Sequence, residues 1–164
     1  MISRLLIVSF LLIHAWGQVP TTRIKPAENA GSFLLLPDRI FDTANGQMRE
    51  GWAVLVVGNK IQAVGEAGVI TAPAGVQRVE LSGLTLMPGL IDAHSHIFLH
   101  PYNETLWDAQ VLKEPMAYRV IRASLHCNNT LMAGFTTLRD LGTEGAGFAD
   151  ASVRRAISEG LIPG

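Results

Sequence analysis

The chain has 164 residues, 48% hydrophobic and 16% charged, which excludes intrinsic disorder and is enough for one domain of ordinary size. Thirteen Lys and Arg against fourteen Asp and Glu leave a formal net charge of -1, with no basic block, so nucleic-acid binding has no electrostatic support. The single cysteine, Cys127, excludes an intrachain disulfide.

The N-terminus opens with Arg4 and an apolar run at 5–13, LLIVSFLLI, followed by Ala15-Trp16-Gly17. A positive lead, a short apolar stretch and small residues before the cleavage point form the pattern of an export signal, residues 1–17. The run falls well short of the roughly 20 apolar residues that span a bilayer. A secreted or periplasmic product with no stable membrane span is therefore expected. Residues 18–30, polar with two prolines, read as a linker.

From residue 31 the pattern is that of strands. Residues 32–41 are largely apolar around Pro37, and Asn45-Gly46 marks a turn. Residues 52–57 (WAVLVV) and 60–64 (KIQAV) flank Gly58-Asn59 and read as a hairpin. Residues 77–81 alternate as a further short strand. Residues 31–87 thus form a small β unit. After Pro88-Gly89 the periodicity changes. LIDAH at 90–94 is a short apolar strand, and 95–113 reads as a long loop. Pro115 suits the first position of a helix in which Met116, Val120, Ala123, Cys127 and Leu131 share one face, and Gly134 is its stop. FTTLR at 135–139 is a strand. A second helix carries Ala149, Val153, Ala156 and Ile157 on one face and stops at Gly160, and Leu161-Ile162-Pro163 reads as the beginning of another strand. Strand, helix, strand, helix defines a parallel α/β fold. Two such units do not close a barrel, which takes eight and about 250 residues.

The chemistry concentrates in His94-Ser95-His96. Side chains two apart on a strand point the same way, roughly 6–7 Å apart, so the two imidazoles are placed to share an ion. Neutral imidazole suits zinc, iron and nickel. A bare His-x-His is a weak signal, more often surface polarity or hydrogen-bonded core. Its position at the C-terminal end of a strand in a parallel α/β pattern raises its weight, because such folds carry their sites there. A catalytic zinc takes three protein ligands, so the pair alone is incomplete.

GLTLMPGLIDAHSH at 83–96 resembles the first barrel strand and its approach in the amidohydrolase superfamily, and AGFTTLRDLG at 133–142 resembles the second. HPYNE at 100–104 and the run to Met132 are similar to the imidazolonepropionase-like amidohydrolases and prolidase-like dipeptidases, and 31–87 to the N-terminal part of their β-sandwich. The resemblance implies a partial β-sandwich (31–87) followed by the first βα units (88–164) of a metal-dependent (β/α)8 TIM-like barrel. It implies one or two divalent ions, zinc above others, with His94 and His96 as ligands. It also implies hydrolysis of a carbon–nitrogen bond in a small amide or dipeptide-like substrate by metal-activated water. The family's further ligands, a lysine and two histidines, and its proton-moving aspartate come from later strands, so the general base is expected beyond residue 164.

Five more residues are candidates around this pair. Asp92 shares the face of His94 and either orients a ligand or holds the strand end. His100 and Tyr102 lie in the loop above the site, as a substrate lip or as solvated surface. Arg139 and Asp140 close the second strand, where Arg139 either binds a substrate carboxylate or ties loops by a salt bridge. Cys127 and His126 sit in a helix and point about 100° apart, which assigns Cys127 to the core and His126 to its edge. Two alternatives stand beside the hydrolase. One is a catalytically inactive truncated product or interaction fragment. The other is a small metal-binding module with His94, His96 and His100 as three ligands.

Overall fold

Residues 31–164 are described by the computed structural model. The export signal expected at 1–17 and the linker at 18–30 lie outside the described residues. The first sheet is organised around β1 (Ser32–Asp42). Along one edge β1 pairs antiparallel with β2 (Gln47–Glu50) and then β3 (Trp52–Val57), in one register running from Asp42 opposite Gln47 to Ser32 opposite Val57. The turn between them uses Gly46 at φ +70°, with the Asp42 and Asn45 side chains accepting from the backbone N–H two residues on. β4 (Lys60–Glu66) follows the foreseen two-residue turn, Val57 facing Lys60 across Gly58-Asn59. β5 (Gln77–Leu86) runs parallel to β1 on its other edge, twice the length of the strand expected at 77–81. The register slips between Pro37 and Arg39, next to the proline, which has no N–H to give the ladder. Leu34, Ala53 and Leu55 are buried at the centre of this sheet, against Leu36, Ile70 and Val76.

The second unit is a parallel pair, β6 (Leu90–Ser95) and β7 (Phe135–Asp140). Parallel strands require a crossover, here α1 (Trp107–Leu112) and α2 (Met116–Met132). α3 (Ala149–Ser158) packs beside α2. Phe98, Ala123, Cys127, Ala146, Ala149 and Val153 form the core between helices and loops, with Ile162 packed against it. Gly134 takes φ +96° just past α2, and its carbonyl accepts from Leu90 N–H, so the helix stop is fastened to the start of β6.

Several expectations are corrected. The stretch 95–113 is not all loop, because α1 supplies nearly two helical turns. Its only buried residue is polar: Gln110 accepts from His100 N–H and donates to the carbonyls of His100 and Thr105, so no apolar period announces the helix. Pro115 is extended and caps α2 from outside, with helical residues beginning at Met116. Met116 stands exposed, while Arg119 and Arg122 join Ala123 and Cys127 on the buried face. Residues 161–164 form no strand.

Candidate metal centre

β6 and β7 run side by side, so their C-terminal ends, and the loops that follow, meet at one edge of the pair. Asp140, the last residue of β7, faces Ser95, and Leu141 N–H continues the ladder to Ser95 O. His94 and His96 flank Ser95. Their ring centroids are 5.3 Å apart and their planes 63° apart, so the imidazoles converge as the two-residue spacing requires. That separation suits two imidazoles whose nitrogens each lie about 2.0–2.1 Å from one zinc ion.

His96 is oriented by its backbone surroundings. Its Nδ1 lies 2.9 Å from Gly142 O, in the loop after β7. A carbonyl oxygen only accepts, so Nδ1 donates and Nε2 keeps its lone pair free. This is how metal-binding histidines are commonly held, with the second nitrogen donating to a carbonyl or carboxylate. Glu144 approaches the same Nδ1 with Oε1 at 3.8 Å, too far to hydrogen-bond, while its Oε2 accepts from Trp107 Nε1 at 3.2 Å. Glu144 adopts φ +50°, the left-handed region that a side chain with Cβ enters at a cost.

The remaining candidates divide. Asp92 accepts from His94 N–H at 3.0 Å through Oδ1, so it holds the strand end beneath the pair. Asp140 does the same for β7, accepting from Gly142 N–H at 2.9 Å, while its Oδ2 is buried with no partner among the described residues. Arg139 is exposed and makes no salt bridge among the described residues, so the loop-tying role is not realised there. It lines a cavity of about 560 Å³ with Asp140, Cys127 and Asp150. Tyr102 is exposed. His100 is engaged by other side chains. It stacks edge-on against His126 at 5.8 Å and faces Glu104 Oε2 at 3.5 Å. Among the described residues no group of three or more His, Cys, Asp or Glu is arranged to hold an ion, so the three-histidine module does not form. Cys127 is core, and burial, followed by the Asp140 charge, pushes its thiol up, away from thiolate chemistry.

Sequence reasoning placed His126 only at the edge of the core and did not single out the arginines of α2 that, with it, grip the loop after β6. His126 Nδ1 donates to Ile97 O at 2.7 Å. Arg122 donates to Phe98 O and pairs with Glu114 through both terminal nitrogens, at 2.9 and 2.8 Å. Arg119 donates to Phe98, Thr143 and Glu144 carbonyls. The spacing 119, 122, 126 is that of one helix face, and a polar stripe so placed was the available signal.

The parallel pair with its chemistry at the strand ends defines an α/β protein of the kind that builds sites from the loops after successive strands. Residues 85–164 match the model of the amidohydrolase family. Among solved structures the chain is similar to a prolidase complexed with N-methylphosphonate-L-proline (28% identity, TM-score 0.64, 82% of this chain and 30% of that one). It is also similar to a Xaa-Pro dipeptidase with methionine bound in the active site (25% identity, TM-score 0.67, 82% and 32%). A third is the ochratoxinase of A. niger (25% identity, TM-score 0.62, 81% and 29%). The chain therefore spans about 30% of the length of these structures. No curated protein matches it by sequence.

Proposed function

We propose that this chain is the N-terminal portion of a divalent-metal-dependent hydrolase of amide or peptide bonds, acting on small dipeptide-like substrates. The single observation that carries the reading is the His94/His96 pair at the end of β6, with His96 Nδ1 committed to Gly142 O and its Nε2 left for a metal. The donor chemistry fits zinc, one ion or two. It fits only in part, because two ligands are present where a catalytic zinc takes three. The further ligands and the general base are assigned to segments outside residues 31–164. In the same reading the first sheet is one layer of a β-sandwich, β6 and β7 open a (β/α)8 barrel, and the product is exported.

A bound ion would lower the pKa of its water from about 15.7 towards neutrality and polarise the scissile carbonyl. The residues of this chain do the positioning. Gly142 O sets the His96 ring, and Asp92 holds His94 by its backbone. In this reading Tyr102, in the loop after β6, and Arg139, next to the last residue of β7, meet a substrate's polar groups, and both are exposed. The dipeptide-like substrate is supported by the prolidase and Xaa-Pro dipeptidase likenesses. On this reading the 164 residues alone hydrolyse little or nothing.

Metal analysis of the full chain, purified with zinc and dialysed, tests the reading. The parent is expected to retain zinc, and His94→Ala and His96→Ala each to lose it. Retention of zinc by both variants at the parent's stoichiometry would overturn it.

A further inference from the structure

Arg119 is a cation enclosed by protein, 1% exposed, with no carboxylate within salt-bridge distance among the described residues. Burying a guanidinium is costly unless its donors are satisfied. All three of its bonds go to backbone oxygens: Nη1 to Glu144 O at 2.8 Å, Nη2 to Thr143 O at 2.8 Å, and Nε to Phe98 O at a longer 3.4 Å. These carbonyls belong to two different loops. Phe98 lies two residues beyond His96, in the loop after β6. Thr143 and Glu144 directly follow Gly142, in the loop after β7. One planar fork therefore bolts the loop that carries the imidazole donor to the loop that carries its acceptor.

We propose that Arg119 is a positioning residue for His96, setting the imidazole tautomer by holding Gly142 O against Nδ1. The inference rests on the proposed role of His96 as a metal ligand, but its structural content does not need the metal. Three further features point the same way. The left-handed backbone of Glu144 is one that a side chain with Cβ occupies only when its surroundings enforce it, and Glu144 O is held by Nη1. Gly142 is braced from the other side by Asp140 Oδ1. Arg122 reaches Phe98 O but touches neither Thr143 nor Glu144, so it secures only one of the two loops. A lysine at 119 has one ammonium point and no fork, and does not span both loops.

The test uses the full chain labelled with 15N-histidine, metal-free, at a pH above the ordinary imidazole value of about 6.5. Long-range 1H–15N spectra of the unaltered chain are expected to show His96 as the Nδ1–H tautomer. Arg119→Lys is expected to mix the two tautomers and to weaken Co2+ binding about 10-fold, the lower end of the effect seen when a ligand's orienting partner is removed. Arg122→Lys is expected to keep the tautomer and the Co2+ affinity while lowering the thermal midpoint, which separates positioning from general support. An Nε2–H tautomer in the unaltered chain would overturn the proposal, as would Arg119→Lys with the tautomer unchanged. A tautomer that shifts in Arg119→Lys while the unaltered chain binds no Co2+ would uphold the positioning role and sink the metal reading instead.

Discussion

Gly89 precedes β6 and makes the closest approach of backbone to a side chain in the site's foundations. A Cβ at this position would overlap the side chain of Thr136 on β7. Thr136 is β-branched and stiff at χ1, so it has little room to yield, and its own Cβ is among the atoms met. Gly89→Ala should therefore cost about 1–3 kcal/mol, the usual range for overpacking. Urea unfolding of the full chain would read this as a lowered midpoint. Adding Thr136→Ala should return more than half of the loss, because the clash is with the branched side chain. If the two substitutions simply add, the contact is not the cause. The glycine of the Pro88-Gly89 pair stands out in the sequence as a change of grammar, but its partner does not. Close approach across a parallel pair depends on a register that no local pattern contains.

At the level of the element, period and turn chemistry located most of the framework. Gly58-Asn59 between two apolar runs gave the β3–β4 hairpin, and the Gly134 and Gly160 stops gave the ends of α2 and α3, both glycines at positive φ. What stayed hidden follows one physical rule. β2 is four residues, three of them polar and the fourth the exposed Met48, paired only with β1, and α1 buries only Gln110. The inward face of α2 carries Arg119 and Arg122. Hydrophobic periodicity finds elements that bury apolar faces, and here the loops are held by polar groups reaching into backbone carbonyls. The same rule limits the site. His94 and His96 were legible from spacing alone, whereas the carbonyl that sets His96 and the arginine behind it come from positions 46 and 23 residues away. The Glu114–Arg122 pair at the start of α2 offers a direct test of this polar fastening. The hydrogen bond from Arg122 holds the Glu114 carboxyl below its usual value of 4.5. A depressed folded-state pKa contributes stability above the usual value and loses it as pH falls through the folded one. Glu114→Gln should therefore be about 1.5–3 kcal/mol less stable than the parent at pH 7, the range for a hydrogen bond to a charged group. The gap should close progressively below pH 4.5. A gap that stays constant from pH 7 to pH 3 would show that the carboxylate charge contributes nothing there.

For the whole molecule, the first sheet and the second unit differ in how far they are covered. The first has β1 flanked on both edges, with Leu34, Ala53 and Leu55 buried beside it. In the second, β6 and β7 have only each other, and each leaves an edge of unpaired N–H and C=O groups among the described residues. Ile91 on β6 is 69% exposed. Ile121 (67%), Leu125 (60%) and Met132 (78%) stand out from α2 at helical spacing, forming a second apolar stripe beside the buried one. Contiguous exposed apolar surface on this scale marks a face that associates. The 164 residues expressed by themselves should therefore bind a hydrophobic dye and elute above monomer mass. Ile121→Glu and Leu125→Lys together should bring the mass down without unfolding the first sheet, because neither residue contributes to its core. Light scattering on the eluted peak, with circular dichroism at the same concentration, decides it. A monodisperse monomer that binds no dye and melts in one cooperative step would mean that these faces are tolerated in water as they stand. Association relieved by the two charges would mean instead that the α2 stripe is a face that requires covering.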